Sequence, residues 1–418
     1  MNRSGVRTGF QRTFRALEVR NFRLYFIGQL VSVSGTWLQS FALGLLVLHL
    51  SHSFTDVGYS AALQFTPMLL LGSWAGLIVD RSRKRPILFA TQTAALMQAL
   101  LLGVLVSTHR VALIAVFGLS LITGFVNLFD NPTRQTFVQE MVGHELLPNA
   151  VSLNSVLMNL ARVVGPGLGG IFVATVGLAG CFFINAGSYV AVIIALAAMR
   201  SSDLHRITPV SPEKGQVRAG LRYVASTPKL LGPLLAMTVI GILAFNFNIT
   251  LLALAEGTFH GSATTVSHFM VGMGLGAVVG GLRVAHHGKP TQARLAELGF
   301  FFGAAMAAVA LSPTVLVAVL CTVLVGYGSI AFVATANGVL QVNSDPQMRG
   351  RVMALYAIAF LGSTPIGGPL IGWIAQAASP RVALIVGAVA TIASAVLLVG
   401  HGKRTSLHHG HVPSPGAT

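Results

Sequence analysis

Apolar residues fill long stretches of this chain, and polar residues gather in short intervals between them. Twelve apolar stretches stand out, near residues 22–48, 57–79, 86–106, 111–129, 150–174, 178–199, 230–255, 265–285, 292–311, 314–336, 352–376 and 382–400. At a helical rise of 1.5 Å per residue each is about long enough to cross a hydrocarbon core of ~30 Å. The pattern predicts a membrane-spanning helix over each stretch. Prolines mark some of the boundaries, as at Ser312–Pro313 and Ser379–Pro380–Arg381. Between spans five and six only "TVGLAG" signals a turn. The first apolar run is longer than the core of a signal peptide and is followed by further spans, so no cleavable signal is expected.

Composition agrees with that reading. The chain of 418 residues is 54% hydrophobic and only 9% charged, with mean hydropathy +0.75, whereas a soluble domain carries roughly a quarter charged residues. Cys181 and Cys321 both fall inside apolar spans and read as packing thiols rather than a disulfide framework. The net charge of +16 does not indicate a nucleic-acid partner, because the basic residues lie between spans. With the N-terminus in the cytoplasm, 24 of the 27 lysines and arginines fall on the cytoplasmic side. The exceptions are Arg110 and Arg381 in external turns and Arg162 within span five. The positive-inside rule therefore predicts a multi-pass protein of the cytoplasmic membrane with both termini inside, and an even number of spans.

Residues 200–229 are polar, charged and contain three prolines, as a linker would. They divide the chain into a basic N-terminal tail (1–21), a six-helix bundle (22–199), a cytoplasmic linker (200–229), a second six-helix bundle (230–400) and a C-terminal tail (401–418). A shift of 202 residues sets "AVSLNSVLMNLARVVGPGLGG" (150–170) on "VMALYAIAFLGSTPIGGPLIG" (352–372), and "GSWAGLIVDRSRKR" (72–85) on "GLGAVVGGLRVAHH" (274–287). Weak half-chain symmetry of this kind marks transporters built from repeats, with the substrate site between the repeats.

Several motifs carry candidate chemistry. Gly72 and Gly76 lie four apart on one helix face, a spacing that permits close approach of a neighbouring helix. Asp80, Arg81 and Arg85 follow at the cytoplasmic edge, and Asp130 ends span four on the same side. An ion-pair cluster joining these groups, and reaching Arg349 and Arg351, would latch one conformation; alternatively the basic residues serve only as topological anchors. In span five, "ARVVGPGLGG" places Arg162, Gly165, Pro166, Gly169 and Gly170 in an otherwise apolar helix. Pro166 frees the carbonyl of residue 162, so a kinked, closely packed stretch is expected. Its G-x-G-x-x-G pattern lacks the strand before it and the βαβ setting that a dinucleotide site needs, and no G-x-x-x-x-G-K-[ST] occurs in the chain. No nucleotide or other cofactor is expected, and the energy for transport must come from a gradient or from a partner. No metal-spaced His, Asp and Glu cluster or paired nucleophile points to an enzyme. The tail "HHGH" (408–411) reads as a polar tail rather than a metal site.

"GSWAGLIVDRSRKRP" resembles the loop 2–3 signature of the major facilitator superfamily. "FDNPTRQTFVQEMV" (129–142), "ARVVGPGLGG" and "MRGRVMALYAIAFLG" (348–362) are similar to the bacterial branch that includes the enterobactin exporter and macrolide-efflux-type permeases. The resemblance runs from about residue 20 to 400. It implies an all-α membrane protein of twelve transmembrane helices in two pseudo-symmetric six-helix bundles, with spans one, four, seven and ten lining a central path. Polar residues of those spans are then the cavity candidates: Gln29, Trp37 and Gln39, Asn127, Asn246 and Asn248, and Tyr327 and Asn337. "GPGLGG" also looks like the antiporter signature of proton-coupled drug exporters. Span four, read as 111–129, has no arginine, where many such exporters have one implicated in proton coupling. An arginine in the middle of a span is retained where it faces protein or water. Arg162 is therefore expected to face the cavity or the seam between bundles and to stand in for that missing arginine; a structural arginine bonded to carbonyls is the alternative. The resulting expectation is a secondary transporter that exports hydrophobic or amphipathic small molecules in exchange for protons by alternating access. Uptake or facilitated diffusion of a neutral solute, or a receptor or scaffold that transports nothing, are the alternatives.

Overall fold

The computed structural model describes residues 14–205, 216–286 and 290–409, and every regular element among them is helical. The chain forms two compact units. One comprises Met1–Pro212 with Ser262–Ser267, the other Glu213–Gly261 with His268–Thr418.

In the first unit, α1 (Arg20–Ser51), α2 (Phe54–Arg81) and α3 (Lys84–Ser107) are joined by short turns. His52 ends α1 in the left-handed conformation (φ 53°), and the Ser53 hydroxyl accepts from the Asp56 amide to start α2. Lys84 ends α2: its buried ammonium donates to the carbonyls of Val79, Asp80 and Ser82 at 2.7–3.1 Å. Helical structure then runs unbroken from Leu113 to Ala198 except at Gly143 (φ 70°, ψ −177°) and Gly177 (φ 70°, ψ 179°). These glycines adopt backbone conformations essentially closed to other residues. They divide the run into α4 (113–142), α5 (144–176) and α6 (178–198). The turn expected at "TVGLAG" is the break at Gly177. The helix after span four is much longer than expected: α4 continues past Asp130 and through Pro132 as far as Val142. Phe22 and Tyr25 of α1, Phe137 and Met141 of α4 and Leu196 of α6 form one buried cluster across these helices.

In the second unit, α7 (Gln216–Ser226) precedes α8 (Pro228–Leu243) and α9 (Phe247–Ala253). Then follow α10 (Ala263–His286), whose start as far as Ser267 belongs to the first unit, α11 (Gln292–Leu311), α12 (Val315–Asn343), α13 (Arg349–Leu361), α14 (Thr364–Ala377) and α15 (Pro380–His409). The expected linker is therefore partly helical. Tyr223 of α7 donates to Asp345 (3.2 Å), and Gly220 packs on Arg351, so α7 is docked on α13. Span seven is interrupted between α8 and α9, where Asn246 donates its side-chain amide to the Ile242 carbonyl at 2.7 Å. Span eleven is interrupted at Gly362–Ser363. Among the described residues ten helical stretches are long and apolar enough to cross a membrane, or eleven with α2 counted as one span across its 71° bend at Gly72–Trp74. A Gly-Ser pair, Gly72–Ser73, sits at that bend, a common setting for sharp kinks.

Candidate functional site

Asp130 lies on α4 about 12 residues short of Val142, which places it about 18 Å in from the end of the helix. It is buried, and three groups donate to its carboxylate. Thr91 Oγ1 and Gln92 Nε2 of α3 each lie 2.8 Å from Oδ1. Arg134 Nε, one turn further along α4, pairs with Oδ2, and Arg134 Nη1 donates to Gln29 Oε1 of α1. The side chains of Arg134 and Asp130 are 14% and 5% exposed, so the pair is screened from water. Tyr25 stands within electrostatic reach of both charges. Gln92 Oε1 is buried without a hydrogen-bond partner among the described residues. The result is a charge-neutral cluster held by α1, α3 and α4, with one orphan acceptor at its edge. An orphaned buried acceptor is costly, and it offers a place for a proton donor.

This arrangement corrects three expectations. The helix that contains span four does carry an arginine, Arg134. In the sequence, Pro132 and the polar residues around it read as a helix end and put Arg134 beyond span four, yet the helix accommodates the proline. Thr133 and Thr136 donate to the carbonyls of Phe129 and Pro132 in that stretch. The reason for assigning Arg162 as a substitute arginine is therefore gone, and the Arg162 side chain lies outside the described residues. Asp130 does not join a cluster with Asp80. It is committed to Arg134, while Asp80 and Arg81 are exposed at the end of α2 and make no ion pair among the described residues. Arg85 instead ties α3 to the end of α6, donating to the carbonyls of Leu196 (2.9 Å) and Ala197 (3.1 Å) and to Ser201 (2.6 Å). Arg349 and Arg351 belong to the second unit, where Arg349 donates to the Gln341 carbonyl at 3.1 Å.

Gln39 is the other correction. Its Nε2 donates to Gln98 of α3 (3.0 Å) and its Oε1 accepts from Asn185 of α6 (2.8 Å), while Ser188 donates to Asn185 (2.9 Å). This buried amide chain joins three helices, and Gln39 is buried within it. Gln29 is held by Arg134. Asn246 serves the break in span seven, and Asn337 accepts from Gln341 at 2.5 Å. Asn248 is exposed, Asn127 and Trp37 are half-buried, and Tyr327 lines a cavity in the second unit.

Gly165 and Gly169 of span five pack closely on α1. A Cβ at Gly165 would run into Trp37 and come within 2.8 Å of the Ser34 carbonyl, and one at Gly169 would lie 2.7 Å from the Phe41 ring. These two positions let α5 lie against α1 at backbone distance, and Pro166 keeps helical geometry rather than breaking the helix. Gly76 does not act this way, since a Cβ there would meet nothing within 4 Å.

A chain of long apolar helices in two units, with a buried charge pair inside one of them, has the build of a multi-pass membrane transporter. Solved transporters share the fold. A bacterial homologue of the iron transporter ferroportin in its inward-facing state matches with TM-score 0.73 and 16% identity, over 92% of this chain and 99% of that one. The nucleoside transporter NupG matches with TM-score 0.69 and 11% identity, over 93% and 99%. The chain belongs to the major facilitator superfamily, in the family described as transmembrane secretion effector, whose model matches residues 11–408. The enterobactin exporter EntS of Citrobacter koseri is 26% identical over 368 residues, 86% of each chain. The multidrug efflux pump Tap of Mycolicibacterium fortuitum is 26% identical over 371 residues, 85% of this chain and 89% of that one.

Proposed function

We propose that this transporter exports amphipathic small molecules of the drug or siderophore type in exchange for protons. Twelve spans in two bundles, with both termini in the cytoplasm, would alternate between inward- and outward-open states. The observation that carries the reading is the buried Asp130–Arg134 pair tied to Gln29, Thr91 and Gln92. A buried pair of opposite charges can trade one partner for a proton. When Arg134 turns away from Asp130, the carboxylate loses its counter-charge and takes up a proton, because an unpaired buried charge is expensive. The proton would then make Asp130 a donor, and Gln92 Oε1 is the unfilled acceptor beside it. Return of Arg134 expels the proton. The names of EntS and Tap both denote export, which supports the direction.

The test is transport in inverted membrane vesicles, with compounds first found by an expression-dependent efflux screen over siderophores, macrolides and amphipathic dyes. Uptake into inverted vesicles should follow an imposed pH gradient and collapse with a protonophore. Asp130→Asn should abolish gradient-driven accumulation while leaving downhill exchange of the same compound. Accumulation by Asp130→Asn at the wild-type level would refute the assignment.

A further inference from the structure

The second unit contains an open pocket of ≈ 190 Å³ lined by residues of α10, α11 and α12 and by Pro290. Arg283 near the end of α10 and Arg294 in the first turn of α11 both line it, facing Tyr327 and Thr335 of α12. The walls are held close by glycines. A Cβ at Gly280 would lie 2.5 Å from the Tyr327 carbonyl, and one at Gly338 would lie 2.8 Å from the Pro290 ring. Thr335 is only 3% exposed. Helical threonines here usually bond back to a carbonyl one turn earlier, as Thr391 does to Gly387 at 2.7 Å. Neither the Thr335 nor the Tyr327 hydroxyl has a hydrogen-bond partner among the described residues. Arg294 also meets Glu297 at 3.0 Å, but those side chains are 43% and 64% exposed, and exposed pairs of this kind hold weakly.

We infer that this cavity binds a phosphate ester, supplied by the headgroup of an anionic phospholipid. Arg283 and Arg294 line the pocket from separate helices, and a guanidinium is a planar donor fork of the kind that matches phosphate oxygens. The two hydroxyls add donors at the inner wall, and Leu298 and Ala331 give an apolar surface for the glycerol end. Basic pockets between membrane helices on the cytoplasmic side bind acidic headgroups in this way. The leaflet rests on the topology proposed above; the binding chemistry does not.

The test is native mass spectrometry and thermal melting of the purified full-length protein with phosphatidylglycerol, phosphatidylcholine or inorganic phosphate added. Phosphatidylglycerol should stay bound and raise the melting temperature, and Arg283→Gln/Arg294→Gln should weaken that binding by at least about tenfold. Thr335→Val, which keeps the side-chain shape, should weaken it to a smaller extent and carries the test should the double variant not fold. Stabilisation by inorganic phosphate alone would support the site chemistry and assign its source to a free anion. Equal retention of phosphatidylglycerol by wild type and both variants, or no preference over phosphatidylcholine, would overturn the proposal. Binding in detergent is indifferent to orientation, so a failed topology test would leave this result standing.

Discussion

Arg134 is the residue on which the site depends, and its energetics can be separated from its function. Removing one member of a buried ion pair leaves the other charge uncompensated, at a cost of about 3–5 kcal/mol, whereas removing both is far milder. Arg134→Gln should therefore lower the melting temperature of the purified protein more than Asp130→Asn/Arg134→Gln does. A double-mutant cycle by thermal melting measures this, and additive losses would mean that the two charges are not coupled. Gln39→Ala makes a contrasting case. It strips partners from Gln98 and Asn185, both buried in the same chain, and should cost about 1–3 kcal/mol of stability. Its transport rate per folded molecule should stay near wild type, because Gln39 is a strut rather than a cavity group. A selective loss of transport with unchanged melting would restore it to the cavity.

At the scale of helices, Gly143 and Gly177 set where the 86-residue run turns back. Alanine at either position would be forced into a backbone conformation that costs about 1–3 kcal/mol. Gly177→Ala should thus reduce the yield of monodisperse protein and its melting temperature, while Gly187→Ala, at a helical site with open space around it, should do neither. Size-exclusion profiles of the two variants provide the check. Most of these elements were legible from hydropathy because lipid demands long, uniformly apolar helices, and the signal for a span is correspondingly strong. Even the weak "TVGLAG" signal contained the glycine that turns the chain. The extension of α4 was not legible. Asp130, Pro132 and Arg134 look like a loop one after another, and only their packing against Gln29, Thr91 and Gln92 makes them an interior helix. The i,i+4 spacing of Asp130 and Arg134 was the available clue, and it has meaning only once a helix is assumed. Gln39 was misread for a related reason: an amide in a span must find partners, but the sequence does not say whether they are neighbouring helices or a substrate.

For the whole molecule, the distribution of lysine and arginine predicts both termini and residues 200–229 in the cytoplasm. Alkaline phosphatase fused at residue 215 or at the C-terminus should be inactive, and activity at either site would invert the proposed orientation. Coupling of export to protons is the central claim, and it is tested most directly by proton movement itself. Inverted vesicles acidified inside and loaded with a pH-sensitive dye should release protons when a transported compound is added. Wild type should give a substrate-dependent alkalinisation of the lumen that disappears in Asp130→Asn, with the protein still inserted and still exchanging the compound downhill. Substrate-dependent proton release of equal size from wild type and Asp130→Asn vesicles, or transport by the wild type with no proton release, would contradict the account.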